Sequence, residues 1–137
     1  MVNKPPEILV IKSDTSELVI VESFLRRIFV ENFLSEKHFN KVYLCVSEAI
    51  INSIKHGNKS DSRKSVIVKI KCSEQEIVVL IEDEGDGFDK ELLIDPTLTG
   101  NLKKESGRGI FIIKNIAESM EFNEKGNCIQ FKLKCGE

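Results

Sequence analysis

Glu48, Asn52 and His56 recur at intervals of four residues. On an α-helix each is turned about 40° from the last, so the three share one narrow stripe. The rest of that stretch is apolar, with Val42, Leu44, Val46, Ala49, Ile50 and Ile54 around it. A carboxylate, an amide and an imidazole in one row are either the solvated edge of a buried helix or the floor of a polar site. Lys41 and Lys55 near the same stripe favour the edge. A second group, Asp83-Glu84-Gly85-Asp86-Gly87-Phe88-Asp89, follows directly on an apolar run. Alternate glycines let the backbone turn sharply and approach a ligand closely, and Asp83 stands at the end of the run, able to accept a hydrogen bond. A calcium loop fits poorly, because the oxygens lack the EF-hand spacing and its closing glutamate. The third group is Ser106-Gly107-Arg108-Gly109-Ile110. Glycines in the first turn of a helix leave N–H groups bare where the helix dipole is positive, which suits a phosphate. It is not a Walker A loop, since no Gly-Lys-Ser/Thr occurs.

These groups must be carried by regular elements. Ile8 to Ile11 reads as a strand, and Ser13 to Ser16 offer N-caps for a helix from Leu18 to about Phe33. A second helix is expected from about Asn40 to His56, with Gly57-Asn58 as its C-terminal stop. Ser65 to Cys72 and Glu76 to Glu82 read as a β-hairpin. Residues 90–106 form a long irregular connection, of the kind that is usually a lid or disordered. Gly107 is expected to open a third helix through about Met120, followed by strands at Glu121 to Asn123 and Cys128 to Lys134 around the turn Glu124-Lys125-Gly126-Asn127. Hairpins dominate and no regular βαβ alternation occurs, so the fold class is α+β. The expected architecture is a two-layer sandwich with a mixed, mainly antiparallel sheet and helices on one face.

Composition narrows the function classes. The chain has 137 residues, with 20 Lys+Arg against 22 Asp+Glu and a net charge of −2. Without a basic excess it is not a general nucleic-acid binder. No apolar run reaches the roughly 18 residues of a membrane span, and the first residues lack a signal-peptide core. The four cysteines form no Cys-x-x-Cys pair, and His38 and His56 are not spaced to complete a zinc site. Reduced structural thiols in a cytoplasmic protein are expected.

Taken jointly, Glu48-x-x-x-Asn52-x-x-x-His56-Gly57, Asp83-x-Gly85-x-Gly87 and Gly107-x-Gly109 resemble the N, G1 and G2 boxes of the GHKL ATPases, in order and in spacing. EAIINSIKHGN, DEGDGFD and DPTLTGNLKKESGRGIFII are similar to the small bacterial anti-sigma factor serine kinases. The resemblance runs from about Ile8 to the last residue, which implies a single histidine kinase-like ATPase domain over residues 1–137, with a lid at about 90–106. It also implies ATP and Mg²⁺ as ligands. Asp83 would accept from the adenine amino group and Asn52 would offer its oxygen to Mg²⁺. Gly107, Arg108 and Gly109 would bring a helix end onto the phosphates, with Lys104 and its neighbour Lys103 closing from the lid. His56, Gly85, Gly87, Phe88 and Ile110 complete the implied nucleotide site, and Glu48 would be the general base. Where some relatives carry a basic residue just before the Ser-Gly of the last box, this chain has Glu105, which does not help to bind a γ-phosphate.

The implied activity is transfer of phosphate from ATP to a serine or threonine of a small antagonist protein, combined with sequestration of a sigma factor. Homodimerisation is a further implication. Two other readings stay open at this stage. One is a nucleotide-gated binding module that transfers no phosphate. The other is a detached histidine kinase catalytic domain, although no phosphoacceptor hairpin is visible and His38 lies in a polar linker.

Overall fold

The computed structural model describes residues 5–73, 75–85 and 104–136, with side chains in the last segment from Arg108 onward. Strand β1 (Glu7–Lys12) leads through a 3₁₀ turn, Thr15–Glu17, into helix α1 (Leu18–Glu31). Asp14 caps that turn by accepting from the Ser16 N–H at 2.9 Å. A second 3₁₀ turn, Glu36–His38, leads into helix α2 (Phe39–Asn52), which continues as a π-helical turn over Ser53–Gly57. Strands β2 (Ser65–Cys72) and β3 (Glu76–Glu82) form the expected hairpin. Helix α3 (Lys104–Ile116), β4 (Ser119–Phe122) and β5 (Cys128–Lys134) follow.

The sheet order is β1-β2-β3-β5-β4, and every pairing among the described residues is antiparallel. The sandwich is therefore α+β as expected, without the parallel pair that a mixed sheet would need. Period-2 alternation points Val66, Val68 and Ile70 of β2 to one side with Ile77, Val79 and Ile81 of β3 and Ile129, Phe131 and Leu133 of β5. All of them are buried in one cluster with Val21, Leu25 and Ile28 of α1, Val42, Val46 and Ile50 of α2, and Ile110 and Ile113 of α3. Each such side chain contributes about 1.5–3 kcal/mol by leaving water, enough in aggregate to hold three helices on one face. On the opposite face Ile8 and Val10 stay exposed.

Two boundaries differ from the sequence reading in ways that bear on the site. Helix α3 already includes Lys104, one turn before Gly107, because glycine inside a helix costs only about 1 kcal/mol. It ends at Ile116, short of Met120, because the Glu118 N–H is drawn to the Lys132 carbonyl at 2.7 Å, where β4 begins. None of the four cysteines is in a disulfide, as expected, and burial pushes the Cys45 and Cys128 thiols up to about 11.

Candidate functional site

Helix α2 is buried almost all round because it is apolar almost all round. Its polar stripe is not a solvated edge. Glu48, Ile51, Asn52, Lys55 and His56 line an open cleft of about 200 Å³, and Gly109 of α3 closes one side of it. Asn52 is buried, while Glu48 and His56 are half-buried. Beyond Asn52 the helix widens into its π turn, with the Asn58 N–H donating to the Ser53 carbonyl at 2.7 Å. Such turns cluster at functional positions because they re-aim side chains.

At the far end of α2 lies Asp83, 4% exposed, one residue past the end of β3. Its Oδ1 accepts from the Gly85 N–H at 2.7 Å, and the Ser53 hydroxyl also donates to the carboxylate. Burial pushes its pKa up, against the opposing pull of those two hydrogen bonds. Among the described residues no lysine or arginine forms an ion pair with it. A buried carboxylate held by small neutral donors, with Lys125 acting on it only through weak long-range attraction, is suited to accept from a neutral N–H of a ligand.

Two glycines make room for it. A Cβ on Gly57 would run into the Asp83 carboxylate, 2.7 Å from Oδ1 and closer still to Oδ2, while a Cβ on Gly85 would strike the Gly57 carbonyl. Gly57 is thus required for space and not as a left-handed helix stop. The left-handed residues after α2 are Lys59 and Ser60, at φ 53° and 59°. We expect Gly85→Ala to cost about 1–3 kcal/mol, because the obstacle is backbone and not a movable side chain. A fall of several degrees in Tm relative to wild type checks it, and an unchanged Tm would refute the tight approach of the two glycines.

In the cleft itself, Glu48 faces the first turns of α3. A Cβ on Gly109 would sit 2.8 Å from Glu48 Oε1, so the missing side chain lets the carboxylate reach the first turns of that helix. Since α3 is already helical at Lys104, Gly107 stands one turn inside it, and its N–H is not among those that a helix start leaves bare. Gly109 serves by its size. Arg108 is exposed, and the Ile110 side chain is buried in the core, so only its backbone is available to a ligand. Gly87, Phe88 and most of the expected lid lie outside the described residues, as does the Lys104 side chain.

A floor helix with a buried aspartate at one end and a glycine-containing helix start at the other agrees with the family comparison. The model of the histidine kinase-like ATPase domain matches residues 11–133. The chain belongs to that family. Among curated histidine kinase-like relatives, the anti-sigma F factor of Clostridium perfringens (strain 13 / Type A) is 30% identical over 118 residues, spanning 79% of this chain and 84% of that protein. The anti-sigma F factor of Clostridium beijerinckii is 32% identical over 98 residues, 69% and 68% of the two chains. The serine-protein kinase RsbW of Staphylococcus aureus (strain MW2) is 29% identical over 91 residues, 61% and 57% of the two chains. A crystal structure of RsbU and RsbW domains from Mycobacterium tuberculosis superposes with a TM-score of 0.65 over 97% of this chain, at 13% identity. This chain spans 32% of that longer one, and the likeness is one of fold.

Ser53, Asn58 and Asn127 reach Asp83 or its peptide neighbours and lie outside the residues that the sequence assigns to the site, while Gly57, the last residue of the first motif, packs on the Asp83 carboxylate. Ser53 lies next to Asn52 but off the Glu48 stripe, and Asn127 belongs to a different hairpin. The available signal was the run Ser53 to Asn58, which holds three small or amide residues at the end of an otherwise apolar helix. Among the described residues no helix is long and apolar enough to cross a membrane.

Proposed function

We propose that this chain is an ATP-dependent anti-sigma factor that phosphorylates a serine or threonine of a small antagonist protein and also holds a sigma factor. The observation that carries the reading is the polar cleft on α2, where Glu48 packs on Gly109, together with the buried Asp83 packed on Gly57 just beyond the end of the same helix. Gly57 lies nine residues on from Glu48, an axial span of roughly 13 Å. That length accommodates a base at one end and a phosphate chain at the other. The names of the anti-sigma F factor and serine-protein kinase relatives support the same reading.

In this reading the free electron pairs of Asp83 accept from the exocyclic amine of adenine, and the raised pKa reflects a carboxylate kept away from water for that purpose. Asn52, buried on the cleft floor, offers its oxygen to Mg²⁺. Among the described residues no group of three or more His, Cys, Asp or Glu side chains gathers as a metal nest. This suits an ion that leans on phosphate oxygens and takes only one or two from protein. When bound, that ion neutralises charge on the phosphates. The bare N–H groups at the start of α3 supply further positive potential, with His56 lining the cleft and Arg108 and Lys104 close in sequence to that helix start. Glu48 takes the proton of the attacking hydroxyl, from a position beside the same helix start. The single histidine kinase-like domain, its lid at 90–106, a cytoplasmic location and homodimerisation belong to the same proposal.

The test is a pull-down from the source cell with and without Mg·ATP, followed by incubation of the recovered small partner with the purified chain. ATP-dependent recovery of a sigma factor, with one phosphoryl group gained by the antagonist in intact mass, is expected. Nucleotide-dependent complexes with an antagonist of unchanged mass would select a binding module that transfers nothing.

A further inference from the structure

Asp83 is aimed through its backbone. The β3–β5 ladder ends at the pair Glu82–Cys128, so the next peptide is held by other means. The Asp83 N–H donates to the Asn127 carbonyl at 2.9 Å, and the Asp83 carbonyl accepts from Asn127 Nδ2 at 3.0 Å. Asn127 is itself fixed, its Oδ1 accepting from Asn123 Nδ2 at 2.8 Å. Asn123 Oδ1 in turn accepts from the N–H groups of Gly126 and Cys128, at 2.7 and 3.2 Å. Gly126 closes this turn at φ 84°. From the other side the Glu84 N–H donates to Asn58 Oδ1 at 2.8 Å, and Asn58 Nδ2 donates to the Ser65 carbonyl at 3.0 Å. Three successive amides, those of residues 83, 84 and 85, are thereby satisfied by three different groups.

We infer that Asn127 is a positioning residue for nucleobase selectivity, gripping the Asp83 peptide from the β4–β5 turn so that its carboxylate meets adenine and repels guanine. The inference rests on the reading of Asp83 as the base acceptor. Adenine presents an exocyclic amine where guanine presents a carbonyl oxygen. A carboxylate held in place gains from the first and is repelled by the second. Selectivity of this kind needs placement to within about 0.5 Å, which a strand end beyond its ladder does not have alone. Releasing the peptide weakens the adenine contact and relieves the guanine repulsion together, so the ratio of affinities changes more than either affinity.

The test is calorimetric titration of ADP and of GDP into the full chain, as wild type, Asn127→Ala and Asn127→Asp. Asn127→Ala removes the Nδ2 donor without adding charge, while Asn127→Asp keeps the size and the backbone carbonyl and sets a charged acceptor where the donor stood. We expect wild type to favour ADP, and the ratio of the two Kd values to fall about fivefold or more in both variants, the size of one net hydrogen bond. Partial unfolding lowers the active fraction but leaves that ratio alone, so a merely structural role does not produce the change. A wild-type ratio in both variants, with ADP still favoured, overturns the role of Asn127 and leaves the reading of Asp83 intact. Equal affinity of wild type for ADP and GDP overturns the reading of Asp83 itself.

Discussion

Glu48→Gln is expected to lower kcat for phosphoryl transfer to the antagonist by about 10²–10⁴-fold while Mg·ATP affinity stays within a few-fold of wild type. The amide keeps the length and half-buried packing of Glu48 on α2 and can no longer take up a proton. Glu48 Oε1 lies where a Cβ of residue 109 would crowd it, so the substituted side chain still fits beside Gly109. Glu48→Ala should lose transfer equally. Phosphoryl transfer otherwise depends on positioning and charge neutralisation, and those parts, Asn52 and the start of α3, are untouched. Intact mass of the antagonist over time gives the rate, and a fluorescent nucleotide gives the affinity. Transfer at the wild-type rate in Glu48→Gln would mean that the proton leaves by another route.

Asp83→Asn should have the opposite character, weakening nucleotide binding by about 10- to 100-fold, the range for a hydrogen bond to a charged group, while making the empty protein more stable. The sign follows from burial. The folded-state pKa of Asp83 is raised above its ordinary value of 3.8 by burial. Below that ordinary value both folded and unfolded chains hold the proton, and there is no penalty. As pH rises through the window up to the raised folded pKa, the unfolded chain loses its proton first, and stability falls. At neutral pH the carboxylate is therefore a net cost to stability, as expected of a group kept for binding and not for folding. The asparagine carries no such charge, and its oxygen can still accept from the Gly85 N–H. Thermal unfolding at neutral and at mildly acidic pH checks this. The variant should melt higher than wild type at neutral pH, and the gap should narrow on acidification. A variant that melts lower at neutral pH would show that the hydrogen bonds from Gly85 and Ser53 outweigh the burial.

Most of the elements were legible in the sequence, for simple reasons. The alternation in Ser65–Cys72, Glu76–Glu82 and Cys128–Lys134 has a period of two and nothing competes with it, so all three strands fall where expected. The face of α1 is equally plain, with Val21, Leu25, Ile28 and Phe29 buried at helical spacing. Helix α3 was misplaced because glycine is a local signal of a helix start, whereas Lys104 to Ser106 carry no apolar period of their own. Gly57 does end the helix where expected, with Asn58 as its cap, but for another reason. A glycine at a helix end usually signals a left-handed residue, yet here the nearest obstacle is a carboxylate from another strand.

The sequence by itself determined the fold class, the sheet's apolar face and the three glycine-marked groups, because these rest on periodicity and residue type along a local stretch of chain. Whether the Glu48 stripe is an open edge or the floor of a cleft was decided only by the tertiary structure, since Lys55 and Asn52 look alike on a helical wheel until Gly109 arrives from a helix more than fifty residues away. The same is true of the aim of Asp83, which depends on Asn58 and Asn127, 25 and 44 residues distant. Hydrogen bonds with that separation leave no trace in local pattern, because they are made only when the sheet register brings the two turns to the same edge.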